Sequence, residues 1–167
     1  MISSNSNLTY LWGDLFRGAI AGSVATVPMT ISMLIGWRLL PRRERYPLPP
    51  REIMGELAER MGKEDLLTEA QLMAATLLSH FAYGAVSGSM YALFEKRISV
   101  GGRLKGVLAG LILWAGSYLG WLPAMGILKP ATQHPWRRNL LMILAHVVWG
   151  MTLEQITQTL QSGKRYI

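Results

Sequence analysis

At 167 residues the chain has the length of a single domain. Half of it is hydrophobic, 16% is charged and the mean hydropathy is +0.23, which argues against an ordinary soluble domain and fits a polytopic membrane protein. The lack of cysteine excludes disulfides, thiolate metal sites and cysteine nucleophiles. The +7 charge and pI near 10.1 read as basic flanks meeting anionic headgroups, with no nucleic-acid partner.

The N-terminal residues Ser3 to Asn7 are polar and uncharged, unlike the basic start of a cleavable signal. Asn7-Leu8-Thr9 fits the glycosylation pattern, but a three-residue match has little specificity. Residues 18–37, between Arg17 and Arg38, carry no charge and predict the first span. The first connection, 38–68, opens with a basic, Pro-rich run from Pro41 to Arg51. Pro49-Pro50 then starts a short amphipathic helix with Ile53, Met54, Leu57, Ala58 and Met61 on one face, suited to the membrane surface or the bundle.

Thr68 and Gln71 form a capping box ahead of the second span, 70–94. Gly101-Gly102 marks a turn, 106–128 predicts the third span, and 139–161, with Glu154 as its one charge, predicts the fourth. Trp12, Trp37 and Trp136 sit near span ends, as an aromatic belt requires.

Two internal matches suggest a repeat. Arg17-Gly18-Ala19-Ile20-Ala21-Gly22 resembles Lys105-Gly106-Val107-Leu108-Ala109-Gly110, and His80-Phe81-Ala82-Tyr83-Gly84 resembles His146-Val147-Val148-Trp149-Gly150. The expected fold is all-α: four transmembrane helices as two tandem hairpins, 14–97 and 103–163, within one domain spanning 1–167. Units with an even number of spans keep their orientation, giving a pseudo-two-fold axis along the membrane normal. Gly18/Gly22, Gly84/Gly88 and Gly106/Gly110 are helix-packing pairs, and Gly116 and Gly120 extend the last of these stripes.

His80 lies about 15 Å past Ala70, and His146 about 12 Å past Arg138, at 1.5 Å per residue. Ionisable groups at such depth are costly and usually have a partner. Three roles fit the pair. Each ring could hydrogen-bond a neighbouring helix through Ser87, Thr26, Ser117, Tyr83 or a carbonyl. The two rings, with Tyr83 and Trp149 beside them, could bind a ligand: haem, another porphyrin or an unidentified metal. Or they could relay protons with Glu154, whose alternative is snorkelling or an ion pair with Arg17 or Lys105. His134, between Gln133 and Pro135, reads as a solvated loop residue.

Paired intramembrane carboxylates, a phosphate loop and a metalloprotease motif are all lacking, so the sequence gives no case for an enzyme. Ser79 and His80 are adjacent on a helix and point apart.

Gly18 to Gly22, Pro47-Leu48-Pro49-Pro50-Arg51, His80, Tyr91-Ala92-Leu93-Phe94-Glu95, Gly106 to Gly110, Met125-Gly126 and Ala145-His146-Val147-Val148-Trp149 together give the chain its resemblance to the YagU-like family of small prokaryotic inner-membrane proteins. Glu154 falls where that family has an acid, while the connection after the first span is shorter here. The resemblance implies a multi-span inner-membrane protein and no established activity, cofactor or substrate. It also implies that both termini are cytoplasmic, whereas Lys and Arg number seven on the termini's face and ten on the other. The expected function is a non-enzymatic membrane protein acting as an accessory subunit or small-molecule-binding module. The alternatives are a porphyrin-binding electron-transfer or pigment protein, and a small transporter or proton path. Expected partners are membrane lipids and a larger membrane complex or a second copy.

Overall fold

A computed structural model describes residues 3–162, which form helices joined by short connections. Gly163, Lys164, Arg165 and the side chains of Asn7 and Thr9 lie outside the described residues.

Helix α1 (Ser3–Leu39) has 37 residues, about 55 Å at 1.5 Å per residue, and outruns the hydrocarbon core. Pro28 sits within it. The Thr26, Thr30 and Ser32 hydroxyls donate back to the carbonyls of Gly22, Thr26 and Met29, so these polar groups are satisfied inside the helix. Helix α2 (Pro49–Arg60) starts on its prolines, whose fixed φ suits a first turn. It stops at Gly62, whose φ of 62° is a left-handed conformation open to glycine.

Helix α3 (Glu69–Phe94) opens with the Thr68–Gln71 capping box read from the sequence. Helix α4 (Gly102–Ala115) runs into a π-helical stretch, Gly116–Trp121, and a last turn, Leu122–Ala124. Gly120, at φ −109° and ψ −110°, breaks the helical path there. Helix α5 (Trp136–Ser162) closes the fold.

Among the described residues, three helical stretches are long and apolar enough to cross a membrane: Tyr10–Leu39, Gly102–Ala124 and Trp136–Ser162. The chain therefore has the make-up of a membrane protein. Helix α3 has the length, 26 residues, but Ser79, His80, Tyr83, Ser87 and Ser89 dilute its apolar character.

Helices α1 and α5 pack together at the centre, with α3 on α1 and α4 on α5. The outer pairings rest on glycine. A Cβ on Gly18 would overlap the Gly88 carbonyl oxygen, and one on Gly22 that of Gly84. Likewise Gly106 abuts the carbonyl of Gly150, and Gly110 that of His146. Close backbone approach replaces the hydrophobic drive that lipid removes.

The two pairings differ in register. Aligned on the histidines, Gly88 corresponds to Glu154 and Gly84 to Gly150, yet Gly18 meets Gly88 while Gly106 meets Gly150. The Gly106–Gly150 contact thus lies about one turn, 5.4 Å, from where that alignment would place it. Gly116 and Gly120 depart from the expected packing stripe: a Cβ on Gly116 meets nothing within 4 Å, and one on Gly120 only its own helix's Ala115 oxygen at 3.9 Å. They border the π-helical break instead.

Candidate ligand site

A chamber of about 220 Å³ lies between the helices. His80, Tyr83, His146 and Trp149, the four residues singled out as ligand-binding candidates, all line it. Thr26 and Met33 of α1, Tyr118 and Trp121 of the π-helical stretch, and Ile53 and Leu57 of α2 complete the wall.

His146 is buried and its Nδ1 lies 2.7 Å from the Met142 carbonyl oxygen. A carbonyl can only accept, so Nδ1 carries the proton and Nε2 keeps its lone pair. His80 Nδ1 lies 3.4 Å from Thr30 Oγ1, while that hydroxyl donates to the Thr26 carbonyl at 2.7 Å. With its one hydrogen committed, Thr30 accepts from Nδ1, which leaves Nε2 of His80 bare as well. Both rings therefore take the same tautomer, fixed by a partner on the far nitrogen as in metal-binding histidines. Tyr118 packs edge-on against His146, with ring centroids 5.7 Å apart.

Tyr83 and Ser117 share a 2.8 Å hydrogen bond that ties α3 to the π-helical stretch. The indole N–H of Trp149 donates to the Gly22 carbonyl at 3.2 Å and pins α5 to α1. A π-helical turn re-aims side chains without ending a helix and is frequent at functional sites. Here it places Ser117, Tyr118 and Trp121 on the chamber.

Helix α2 roofs the chamber. Arg60 donates to the carbonyls of Met125 and Gly126 at 2.9 and 2.8 Å, Arg138 pairs with Glu52, and Arg51 pairs with Glu69 at 3.0 Å. Of the two positions read from the sequence, α2 thus takes the bundle. The roof and the π-helical turn escaped the sequence reading. Gly116, Gly120 and Pro123 were the local signs of the turn.

The acidic residue read as intramembrane belongs to another cluster. Glu154 is buried and accepts from the Tyr91 hydroxyl and from Gln158 Nε2 at 2.7 Å. It pairs with neither expected cation: Arg17 pairs with Asp14 at 2.9 Å and Lys105 with Glu95 at 3.4 Å. Asp14 and Glu95 are nearer in the fold and intercept them. His134, outside the spans, has Nε2 3.2 Å from the Lys129 carbonyl. Burial first, and then the Arg138 charge, hold its pKa below the ordinary value.

Two bare nitrogens on an apolar chamber can accept hydrogen bonds from a ligand, or ligate a cation through a pair. Among the described residues no cluster of three or more His, Asp or Glu is placed to hold a metal. The volume is below the roughly 300–1,000 Å³ of drug-sized ligand sites.

Residues 31–155 match a family described as protein of unknown function (DUF1440). The chain belongs to the DUF1440 family. The match takes in α2 to α4 whole, most of α5 and the C-terminal part of α1, and with them every chamber-lining residue named above except Thr26. No curated protein and no solved structure matches the chain.

Proposed function

We propose that this DUF1440 protein is a four-span inner-membrane bundle that binds a small molecule between His80 and His146, as a non-enzymatic binding module or accessory subunit. Helix α3 is the fourth span in this reading. Its 26 residues exceed the roughly 20 that crossing needs. Its polar groups face partners: His80 meets Thr30, Tyr83 meets Ser117, and Ser89 donates to the Leu15 carbonyl at 2.9 Å. The hairpins 14–97 and 103–163 are then tandem units about an approximate two-fold axis, relaxed by the one-turn offset of the Gly106–Gly150 contact. The resemblance to YagU-like proteins supports an inner-membrane location with cytoplasmic termini, where a larger complex or a second copy could dock on the exposed apolar faces.

One observation carries the reading: two histidines from separate hairpins line one chamber, each with Nδ1 engaged and Nε2 bare.

The test is the small-molecule content of protein purified gently from its own membrane. Wild type is expected to retain close to one equivalent of a compound that the His80→Ala/His146→Ala double variant lacks. Equal content in the two proteins, both folded, would overturn the proposal.

A further inference from the structure

The chamber is roofed by α2 but open at its side. Helices α3 and α4 are in sparse contact, and a groove of about 520 Å³ runs between them. Val86, Met90 and Phe94 form one bank, and Ala109, Ile112 and Leu113 the other. Val86, Met90, Phe94 and Ile112 are exposed, so in a bilayer the groove faces acyl chains. From Tyr83 to Phe94 it follows α3 for about 16 Å at 1.5 Å per residue.

Groove and chamber share Tyr83, Leu113, Ser117, Trp121 and Trp149, so they adjoin across the Tyr83–Ser117 bridge. Polarity is graded along the path. The outer banks are apolar side chains, and the chamber at the inner end is lined by His80 and His146, each with Nδ1 engaged.

The geometry points to a lateral binding site for a single-tailed amphiphile with a hydroxyl head: the tail lies in the α3–α4 groove and the hydroxyl donates to Nε2 of His80 or His146. This deepens the small-molecule reading above and rests on it. The head must donate, because both imidazoles present acceptors to the chamber. The tail follows from the groove, an apolar channel open to lipid and leading to those acceptors. The ligand then reaches the chamber from the bilayer, and the α2 roof can stay shut.

Gly116 makes the idea testable. It borders the groove, is exposed, and a Cβ there meets nothing within 4 Å, so Gly116→Phe is chosen to plug the groove. Val86→Trp, at a residue 59% exposed, is a second plug. The probe is dodecanol with a photoactivatable diazirine in mid-chain, compared with the matching alkane, on protein in lipid nanodiscs with adducts mapped by mass spectrometry.

The alcohol is expected to mark Val86, Met90 or Ile112 about tenfold more than the alkane does, the effect of one hydrogen bond. Excess dodecanol should compete. Each plug, and the His80→Ala/His146→Ala double variant, should lower the yield to the alkane's level. Equal labelling by alcohol and alkane overturns the inference, as does labelling spread over lipid-facing residues such as Leu34 and Leu78. Labelling that is lost in the histidine variant but unmoved by both plugs rejects the groove and leaves the chamber reading standing. Labelling lost with the plugs but unmoved in the histidine variant rejects the hydroxyl contact.

Discussion

The ring of His146 donates from Nδ1 to the carbonyl of Met142, one turn back along α5, at 2.7 Å. That bond anchors the imidazole to its own helix and presents the opposite nitrogen to the chamber. His80 reaches the same state by a different route, across to Thr30 of α1. Its support is thus a side chain that can be removed. Thr30→Val takes away the acceptor, frees His80 to turn, and should weaken ligand retention by roughly tenfold, the low end for loss of a group that orients a binding histidine. The compound content of Thr30→Val against wild type checks this. Unchanged content would mean that Thr30 does not position the ring.

The glycine contacts predict a sharp contrast between positions. Gly22→Leu and Gly106→Leu drive a side chain into the Gly84 and Gly150 carbonyls and should cost about 1–3 kcal/mol or more. Gly116→Leu points into open space and should leave stability near wild type. Thermal unfolding in detergent, followed by tryptophan fluorescence, separates the two classes. Equal effects at all three positions would contradict the described packing.

The buried Tyr91–Glu154 pair should behave as a coupled unit. In a double-mutant cycle of Tyr91→Phe and Glu154→Gln, the coupling should be about 1 kcal/mol, within the range found for polar contacts between membrane helices. Arg17→Ala should show no coupling to Glu154→Gln, because Arg17 pairs with Asp14. Additive effects for the tyrosine pair would remove that contact.

The α2 roof predicts a change in access. The chain has no cysteine, so Ser79→Cys puts a single thiol on the chamber wall. A water-soluble maleimide should react with it slowly. Adding Arg60→Ala removes the bonds to the Met125 and Gly126 carbonyls, and labelling should quicken several-fold. If the rate is unmoved, Arg60 does not hold the roof down.

Much of this was legible in the sequence because lipid imposes simple rules. Long runs without charge marked α1, α3 and α4, a run with Glu154 as its one charge marked α5, and Thr68 with Gln71 marked the start of α3. His80 and His146 stood out because few polar groups are tolerated at their depth. What stayed hidden depended on distant contacts. Glu154 could be matched to Arg17 or Lys105 by helix ends, but only the fold shows Asp14 and Glu95 taking those cations. The one-turn offset of the Gly106–Gly150 contact was invisible because the aligned motifs carry no information on which turn meets which. The roof depends on Arg60 reaching carbonyls 65 and 66 residues away, for which a single sequence gives no signal.

The most direct test of the central claim is nitrogen NMR of histidine-labelled protein in lipid nanodiscs. With three histidines in the chain, His80→Ala and His146→Ala assign both rings. The account predicts a protonated Nδ1 and a bare Nε2 in each ring, with the resonances of each shifted when the other is replaced. A ring protonated at Nε2, or two rings indifferent to each other's removal, would contradict it.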